Sequence, residues 1–311
     1  MNKIKTKVSR GANFVYHMLS VAKCGYDNEY GRMHAGKHSS DDLRLLKDNE
    51  KLLTVSGGEH CGELYGIFVA TPASLDSPAV EYYHSLKLLF ETGDTQKFVD
   101  AWKIQSLETM PETEAQAKEV AGHMHNSFSH LRPQLISLSD VMISNYSIYC
   151  NEVWVQSKPE LVEYAEGIQQ LFEADNVTER LEMLVGVSLK SNFYASFCNS
   201  IKGGAQAIDI PNCQDIFGID KGYEKTKKFI AHEYAIFLLM QALVVEFDLS
   251  NTMKYWRHLE GLAEFYLGMT LGESGIFADV QPIIDFYKNE YSENPRETAV
   301  GLFAKAIEVF K

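Results

Sequence analysis

The sequence has few cysteines, and their spacing fits neither a disulfide framework nor a structural zinc site. They are odd in number and scattered: Cys24, Cys61, Cys150, Cys198 and Cys213. Free thiols in a reducing compartment are the usual state of such cysteines. We therefore predict a cytoplasmic protein.

Basic residues are also scarce. The chain has 29 Lys and Arg against 42 Asp and Glu, which gives a formal net charge of -13. Binding to nucleic acid needs clustered Lys and Arg facing the phosphates. The composition therefore predicts a protein without a nucleic-acid partner, whose acidic surface favours solubility.

Long apolar runs are absent as well. The longest lies within residues 234–247 and is shorter than the roughly 20 residues that span a bilayer. The N-terminal basic residues precede an apolar stretch, as in a secretory signal, but Tyr16 and His17 interrupt it and no convincing cleavage site follows. We predict no membrane partner and interpret this stretch as a helix of the mature protein.

The chain is long and apolar enough for a large core or two packed lobes, with 311 residues of which 45% are hydrophobic. Residues 1–175 are predicted to be mostly helical, and the short apolar run at 64–70 fits a strand or a helix. The candidate helices are residues 13–23, 41–53, 77–90, 112–131, 135–154 and 159–173. This part is predicted to be a helical N-terminal region.

The pattern changes in residues 176–311. Residues 184–189 alternate and are rich in β-branched side chains, so they predict a strand, and residues 192–201 and 203–210 predict two more. A loop over 211–222 is expected to precede a central helix at 223–247. Further helices are expected at 252–271, 280–290 and 295–310. The predicted fold is α+β and mainly helical, with a small twisted sheet at 184–210 and a helical C-terminal lobe at 252–311.

The central helix carries an adjacent base and acid, His232 and Glu233, within its apolar part. Burying two ionisable groups costs several kcal/mol unless they are paired, hydrogen-bonded or bound to metal. A buried pair satisfied within the core is one interpretation. A functional site is the other.

The string around this pair is close to the zinc peptidase motif H-E-x-x-H. In that motif two histidines four residues apart bind zinc from one helix face, and the glutamate between them acts as general base. Here Ile236 stands where the second histidine belongs.

The following helix carries Glu260-Gly261-Leu262-Ala263-Glu264. Glu260 and Glu264 are four residues apart and share one helix face. One carboxylate is thus able to bind a metal while the other orients a ligand imidazole. We expect Gly261 to allow close approach of the two helices.

A glycine-started strand before the central helix contains Gly203, Gly204, Ala205 and Gln206. Its position predicts an edge strand. Peptidases hold extended substrates by adding them to such an edge.

Over about residues 180–270 the chain resembles the gluzincin branch of the zincin-like metallopeptidases. The resemblance lies in the order of its elements: a strand, a G-G-x-x-A strand, an H-E helix and an E-G-L-A-E helix. The resemblance implies zinc as cofactor and a peptide or protein as substrate or ligand. It implies that His232 is the first metal ligand and that Glu233 is the base that activates water. It further implies that Glu260 is the third ligand and that Glu264 holds His232 from behind the metal. Tyr266 is a candidate for stabilising the oxyanion.

Ile236 departs from the family pattern. Two protein ligands hold zinc far more weakly than three, and zinc-bound water is the source of the nucleophile. The leading hypothesis is therefore a metallopeptidase-like protein with a degenerate zinc site that is catalytically impaired or inactive. The alternatives are a non-enzymatic peptide-binding module, an active zinc peptidase with an unconventional ligand, and a helical scaffold unrelated to zincins. The last predicts that Glu260 lies far from His232.

Overall fold

Helices make up most of the chain, and a small sheet accompanies them. The computed structural model describes residues 2–56, 60–75, 79–105, 114–202, 205–210, 212–247, 255–272 and 278–310. The α-helices are α1 (Arg10–Val21), α2 (Glu29–His34), α3 (Ser40–Asp48), α4 (Glu50–Leu53), α5 (Thr71–Ser74), α6 (Ala79–Thr92), α7 (Thr95–Gln105), α8 (Glu114–Ser127), α9 (Arg132–Tyr149), α10 (Val155–Glu173), α11 (Val177–Val185), α12 (Tyr223–Leu243), α13 (Trp256–Leu271), α14 (Gln281–Glu293) and α15 (Ala299–Val309). The strands are β1 (Ile4–Lys7), β2 (Val55–Ser56), β3 (His60–Cys61), β4 (Phe193–Cys198), β5 (Ala205–Asp209) and β6 (Gln214–Gly218). The prediction of a mainly helical α+β fold is confirmed.

Short non-α turns complete the helical segments. Tyr65–Ala70 and Cys150–Trp154 are π-helical, and Ala35–Lys37, Ser129–Leu131 and Ala278–Val280 are 3₁₀-helical. Several α-helices begin at side chains that cap their first free N–H groups. Ser9 accepts from the N–H of Ala12 at the start of α1, and Thr298 accepts from Gly301 at the start of α15.

The chain divides into two compact units, and each combines segments that are distant in sequence. The first unit contains residues 1–6, 164–195 and 221–311; the second contains residues 7–163 and 196–220. The predicted division after residue 175 separates regions by their sequence character. It stays a prediction.

In the first unit α13 is the shared packing partner. It contacts α11, α12, α14 and α15, and all its residues from His258 to Leu267 are buried.

In the second unit α1 is the helix around which the others pack. Every residue of α1 from Gly11 to Val21 is buried, and α1 contacts α2, α5, α6 and α9.

Four strands form one sheet in the order β1, β4, β6, β5, and β2 and β3 form a separate antiparallel pair. β5 and β6 are antiparallel, with Ala205 opposite Phe217 and Gln206 opposite Ile216; a register shift follows Ala207. Among the described strands, β5 is at one edge, where the sequence predicted an edge strand. Gly203 and Gly204 are outside the described residues.

The prediction of a strand at residues 184–189 is wrong. Leu184 and Val185 are the last residues of α11, and Gly186 ends that helix with a φ of 86°. Glycine adopts this left-handed conformation at little steric cost. The alternation of apolar residues here reflects a helix end followed by extended chain. The later predictions of strands at 192–201 and 203–210 correspond to β4 and β5.

The predicted loop at 211–222 contains a strand that the sequence pattern did not indicate. β6 has the sequence Q-D-I-F-G, and all five residues are buried. The strand was missed because its first two residues, Gln214 and Asp215, are polar and do not show the apolar pattern of a buried strand. The central helix also ends earlier than predicted, at Leu243 instead of residue 247.

All five cysteines are free thiols, as their spacing predicted. Among the described helices, none combines the length and apolar character needed to cross a membrane.

Candidate functional site

The candidate site belongs to the first unit and lies where α12 packs against α13. α12 begins after Gly222 and then runs without Gly or Pro to Leu243. Its apolar part is buried on nearly all sides, from Phe229 to Leu239, because its side chains are apolar around the whole helix. This places His232 in the core, with 0% of its surface exposed.

His232 lies between two carboxylates of α13. Its Nε2 is 2.7 Å from Oε2 of Glu260, and its Nδ1 is 2.9 Å from Oε1 of Glu264. Glu260 and Glu264 are one helical turn apart and therefore present both carboxylates to the same neighbour. All three side chains are at least 96% buried. The scaffold hypothesis is wrong in its expectation that Glu260 lies far from His232.

This geometry fixes the charge of the ring. Nε2 hydrogen-bonds to Glu260, and Nδ1 lies at ion-pair distance from Glu264. Carboxylate oxygens only accept, so both contacts favour the imidazolium, which has an N–H on each ring nitrogen. Burial acts to lower the pKa of His232, but the hydrogen bonds to Glu260 and Glu264 and the nearby carboxylate charges outweigh it and raise the pKa to about 10. His232 is therefore a buried cation at neutral pH.

Glu233 follows His232 in sequence and is only partly buried. Removal from water raises its pKa to about 7; the charge of Glu260 acts in the same direction, and the His232 imidazolium opposes it. A carboxyl group with this pKa exchanges protons near neutral pH, which is the property required of a general base.

Tyr266 does not join the three ionised side chains. It follows Glu264 by two residues, which places it about 200° further round α13. Its hydroxyl is buried and has no hydrogen-bond partner among the described residues. Burial, followed by the nearby Tyr291 and Glu297, raises the pKa of this hydroxyl. The structure provides no contact between Tyr266 and His232 that fits the predicted oxyanion role.

Gly261 allows a close approach, but the helix that approaches is α14. A Cβ atom at Gly261 would lie 2.7 Å from Cγ2 of Ile283 and 3.6 Å from Cε2 of Tyr287. Both residues are on α14. The prediction that Gly261 lets α12 and α13 approach each other is therefore corrected.

The side chains do not fit a three-ligand zinc site. Two ligand atoms on one tetrahedral zinc, each about 2.0–2.1 Å from the metal, lie about 3.3 Å apart. The 2.7 Å between His232 and Glu260 is instead a direct hydrogen bond. Ile236, one turn after His232, presents a buried apolar side chain. Within the described part of the chain, no group of three His, Cys, Asp or Glu side chains is arranged to hold a metal ion.

The proposed substrate strand is in the other unit. Ala205 and Gln206 are in β5, which belongs to the second unit, whereas His232 belongs to the first. One backbone group of β5 is already bonded, because the hydroxyl of Tyr65 donates to the carbonyl of Ala207 at 3.0 Å.

Sequence reasoning missed a second ionised cluster in the first unit. The carboxylate of Glu182 accepts from Lys3 at 2.9 Å, from Tyr234 at 2.8 Å and from Ser188 at 2.9 Å. The only local signal was a glutamate in the last turns of a helix. Two of its partners, Lys3 and Tyr234, are distant in sequence and were not predictable from spacing.

Comparison with known proteins identifies no relative: no family model, curated protein or solved structure matches the chain.

Proposed function

We propose that this chain is a zincin-like protein in which a charged histidine has replaced the catalytic metal, and that it is catalytically inactive as a peptidase. The supporting observation is the placement of His232 between Glu260 and Glu264, at 2.7 and 2.9 Å. The gluzincin resemblance implies that His232 and Glu260 are metal ligands and that Glu264 is the outer partner of His232. The same residues come together here, but they bond to one another.

In a zinc site the metal cation compensates the charge of a ligand carboxylate buried in the core. Here the imidazolium supplies a positive charge to two buried carboxylates, and both of its nitrogens are used in doing so. A lone pair on His232 would have to be freed before it could bind a metal. Without zinc to acidify water, Glu233 has no metal-bound water to deprotonate.

The test is the metal content of the purified, untagged protein, measured by plasma mass spectrometry, for the wild type and for Ile236→His. The wild type should contain far less than one zinc per chain, before and after incubation with zinc. Ile236→His adds the missing ligand and should bind close to one zinc per chain. Ile236→Leu is the matched control and should behave as the wild type.

Two outcomes would contradict the proposal. Near-stoichiometric zinc in the wild type, lost in His232→Ala, would mean that the metal site is intact. A folded Ile236→His protein that binds no zinc would mean that the helix pair lacks zincin geometry. If Ile236→His gains peptidase activity, Glu233→Gln in that background should abolish it while zinc remains bound.

A second candidate function is peptide binding without catalysis. The observation that favours it is the position of β5 at the edge of the described sheet, where a peptide can add as a further strand. Measurement of fluorescence anisotropy with a mixed library of labelled extended peptides tests it. Peptides that bind the wild type should bind Gln206→Pro more weakly, because proline removes a backbone donor from β5 and disturbs the edge strand.

A further inference from the structure

A cavity of about 290 Å³ lies in the first unit. Four of its described lining residues belong to the first turns of α13 and α14, and one follows the last residue of α15. They are Arg257, His258, Pro282, Ile283 and Phe310. Small-molecule sites usually measure about 300–1,000 Å³, so this cavity fits a small group. The functions proposed above use none of its lining residues.

Part of the lining is apolar. Ile283 is buried and Phe310 is half-buried, and Pro282 adds a rigid ring. Phe310 packs edge to face against Phe286, with ring centroids 5.5 Å apart and the two planes at 89°, which is a favourable arrangement for an aromatic pair. A ligand gains binding free energy by covering such surfaces. The cavity therefore favours a ligand with an apolar group.

Arg257 adds a positive charge to the lining. Its side chain is exposed, and one guanidinium nitrogen donates to the backbone carbonyl of Asp279 at 3.0 Å. A guanidinium has five N–H groups, so most of its donors are left for a ligand. Within the described part of the chain, Arg257 forms no ion pair with a carboxylate. In a protein with a net charge of -13, such an arginine in a cavity points to an anionic ligand.

The two helices that line the cavity add to this positive potential. α13 has 16 residues and α14 has 13, and no side chain caps the first turn of either helix. The residues before them, Tyr255 and Val280, are not of the usual capping types. Aligned peptide dipoles give a helix N-terminus partial positive charge and free N–H groups, which favour an anion. The Arg257 charge and both helix ends therefore favour a carboxylate.

His258 provides an acceptor that lacks a donor. Only 8% of its surface is exposed, and its Nε2 donates to the carbonyl of Phe310 at 3.2 Å. Burial lowers the pKa of His258; the hydrogen bond to Phe310 opposes this effect and Arg257 adds to it. The ring is therefore neutral and has a lone pair on Nδ1. Nδ1 is buried and has no hydrogen-bond partner among the described residues, so a ligand with a donor is favoured.

A matching ligand has a carboxylate, an apolar group and a hydrogen-bond donor. The last residue of a peptide has all three when its side chain is apolar, because its backbone ends in a carboxylate and begins with an amide N–H. A fatty acid offers no donor once its carboxyl group is ionised. A free amino acid carries an ammonium group, which Arg257 repels. Capture of a C-terminal carboxylate by backbone N–H groups is a general mode of peptide recognition.

We propose that this cavity binds the C-terminal residue of a peptide or protein that ends in an apolar amino acid. The carboxylate pairs with Arg257 and the N-terminal ends of α13 and α14. The apolar side chain contacts Ile283 and Phe310, and the last amide N–H donates to Nδ1 of His258. The cavity shares no lining residue with the His232 group or with β5, so it can bind a peptide whether or not either of those proposals holds.

Fluorescence anisotropy of the full chain with labelled pentapeptides tests this site. The probe has the sequence Gly-Ser-Gly-Ala-Leu, with fluorescein at its N-terminus and a free C-terminal acid. The C-terminal amide of the same peptide should bind about tenfold more weakly or worse, because it lacks the charge that pairs with Arg257. A probe with an ester in place of the last amide bond lacks the N–H donor and should also bind more weakly.

Unlabelled N-acetyl-leucine separates a peptide ligand from a free N-acylated amino acid. It carries all three recognised groups, so it should displace the labelled probe completely. Its affinity should be no higher than that of the peptide, because a peptide adds contacts beyond its last residue. Failure to displace the probe, or tighter binding than the peptide, would overturn the proposal.

Matched variants locate the binding site. Arg257→Gln should lower the affinity for the free acid about tenfold or more and leave the weak binding of the amide unchanged. Arg296→Gln replaces another exposed arginine of the first unit and should bind both probes as the wild type does. Gln206→Pro should also bind the free acid as the wild type does, because β5 is not part of this cavity.

Several results would contradict a C-terminal carboxylate site. They are no binding of the free acid at concentrations up to about 1 mM, equal binding of the acid and its amide or ester analogue, and unchanged affinity in a folded Arg257→Gln protein. The comparison of acid, amide and ester uses the wild type alone. It therefore decides the question even if Arg257→Gln fails to fold.

Discussion

Nε2 of His232 lies 2.7 Å from Oε2 of Glu260, although 28 residues separate them in sequence. Together with Glu264 they form a buried group with one positive and two negative charges. Such groups are stable only while all partners are present, because removal of one leaves an uncompensated charge in the core. The predictions for this site follow from that dependence.

Glu260→Gln should destabilise the first unit. The amide can still accept a hydrogen bond from His232, but the charge that favours the imidazolium is halved. We expect a loss of about 2–4 kcal/mol in the free energy of unfolding, measured by urea denaturation. Glu308→Gln changes an exposed residue of α15 and should stay within about 0.5 kcal/mol of the wild type. Equal unfolding curves for the two variants would mean that the buried group does not form in solution.

Gly261→Ala should also destabilise the protein, for a steric reason. The new Cβ would lie 2.7 Å from Cγ2 of Ile283, and such overpacking costs about 1–3 kcal/mol. Gly122→Ala on α8 is the matched control, because outside its own stretch of helix backbone no described atom lies within 4 Å of its Cβ position. That variant should be neutral or gain up to about 1 kcal/mol from helix propensity.

A double-mutant cycle identifies the partner of Gly261. If Ile283 is the obstacle, Ile283→Ala should lower the free energy of unfolding less in the Gly261→Ala background than in the wild type. Strict additivity of the two changes would rule out the contact.

The stability of the first unit should depend on acid through Glu182. Burial acts to raise the pKa of Glu182, but the hydrogen bonds from Lys3, Tyr234 and Ser188 outweigh it and leave the pKa lowered. A lowered folded pKa contributes stability above the unfolded value of about 4.3, and this is lost as the pH falls through the folded pKa. Glu182→Gln should therefore flatten the dependence of unfolding free energy on pH between about pH 3 and pH 5.

Glu166→Gln provides the comparison for Glu182, since Glu166 is an exposed residue of the same unit. It should keep the wild-type pH dependence. The same slope in Glu182→Gln and in the wild type would exclude a contribution from the Glu182 cluster.

The cysteines should differ in their reaction with a thiol reagent. Cys61 is exposed, Cys150 is half-buried, and Cys24, Cys198 and Cys213 are buried. In the folded protein Cys61 should react first, because its side chain is exposed. Partial burial raises the pKa of its thiol, so the reaction should become fast only at a pH above the ordinary pKa of cysteine. Cys61→Ser should remove the fast phase, and all five thiols of the wild type should react after unfolding. A fast phase that persists in Cys61→Ser would contradict the assignment.

Much of the helical framework was predictable from the sequence. The apolar run in α12 dictates burial, and the energetic argument that His232 must then be paired is confirmed by its two carboxylate partners. The i, i+4 spacing of Glu260 and Glu264 correctly predicted a shared face. These inferences succeed because they rest on local periodicity and on the free energy of burying a charge.

The missed features depend on contacts that are remote in sequence. β6 is polar in its first half and is a strand because it pairs with β5. His17 and His38 share a hydrogen bond although they are 21 residues apart and on separate elements, so no spacing rule relates them. Gly261 was predicted to bring α12 and α13 together, but the helix that approaches it closely is α14.

The discontinuity of the first unit has a consequence for synthesis on the ribosome. The carbonyl of Leu189 accepts a hydrogen bond from Lys3, and these residues are 186 positions apart. β1 pairs in the sheet with β4, which is equally distant in sequence. At roughly 5–20 residues per second, the segment that forms β1 waits about 10–40 s until β4 has been synthesised. Throughout that interval the segment lacks its native strand partner, so we expect nascent copies of the protein to need protection by a chaperone.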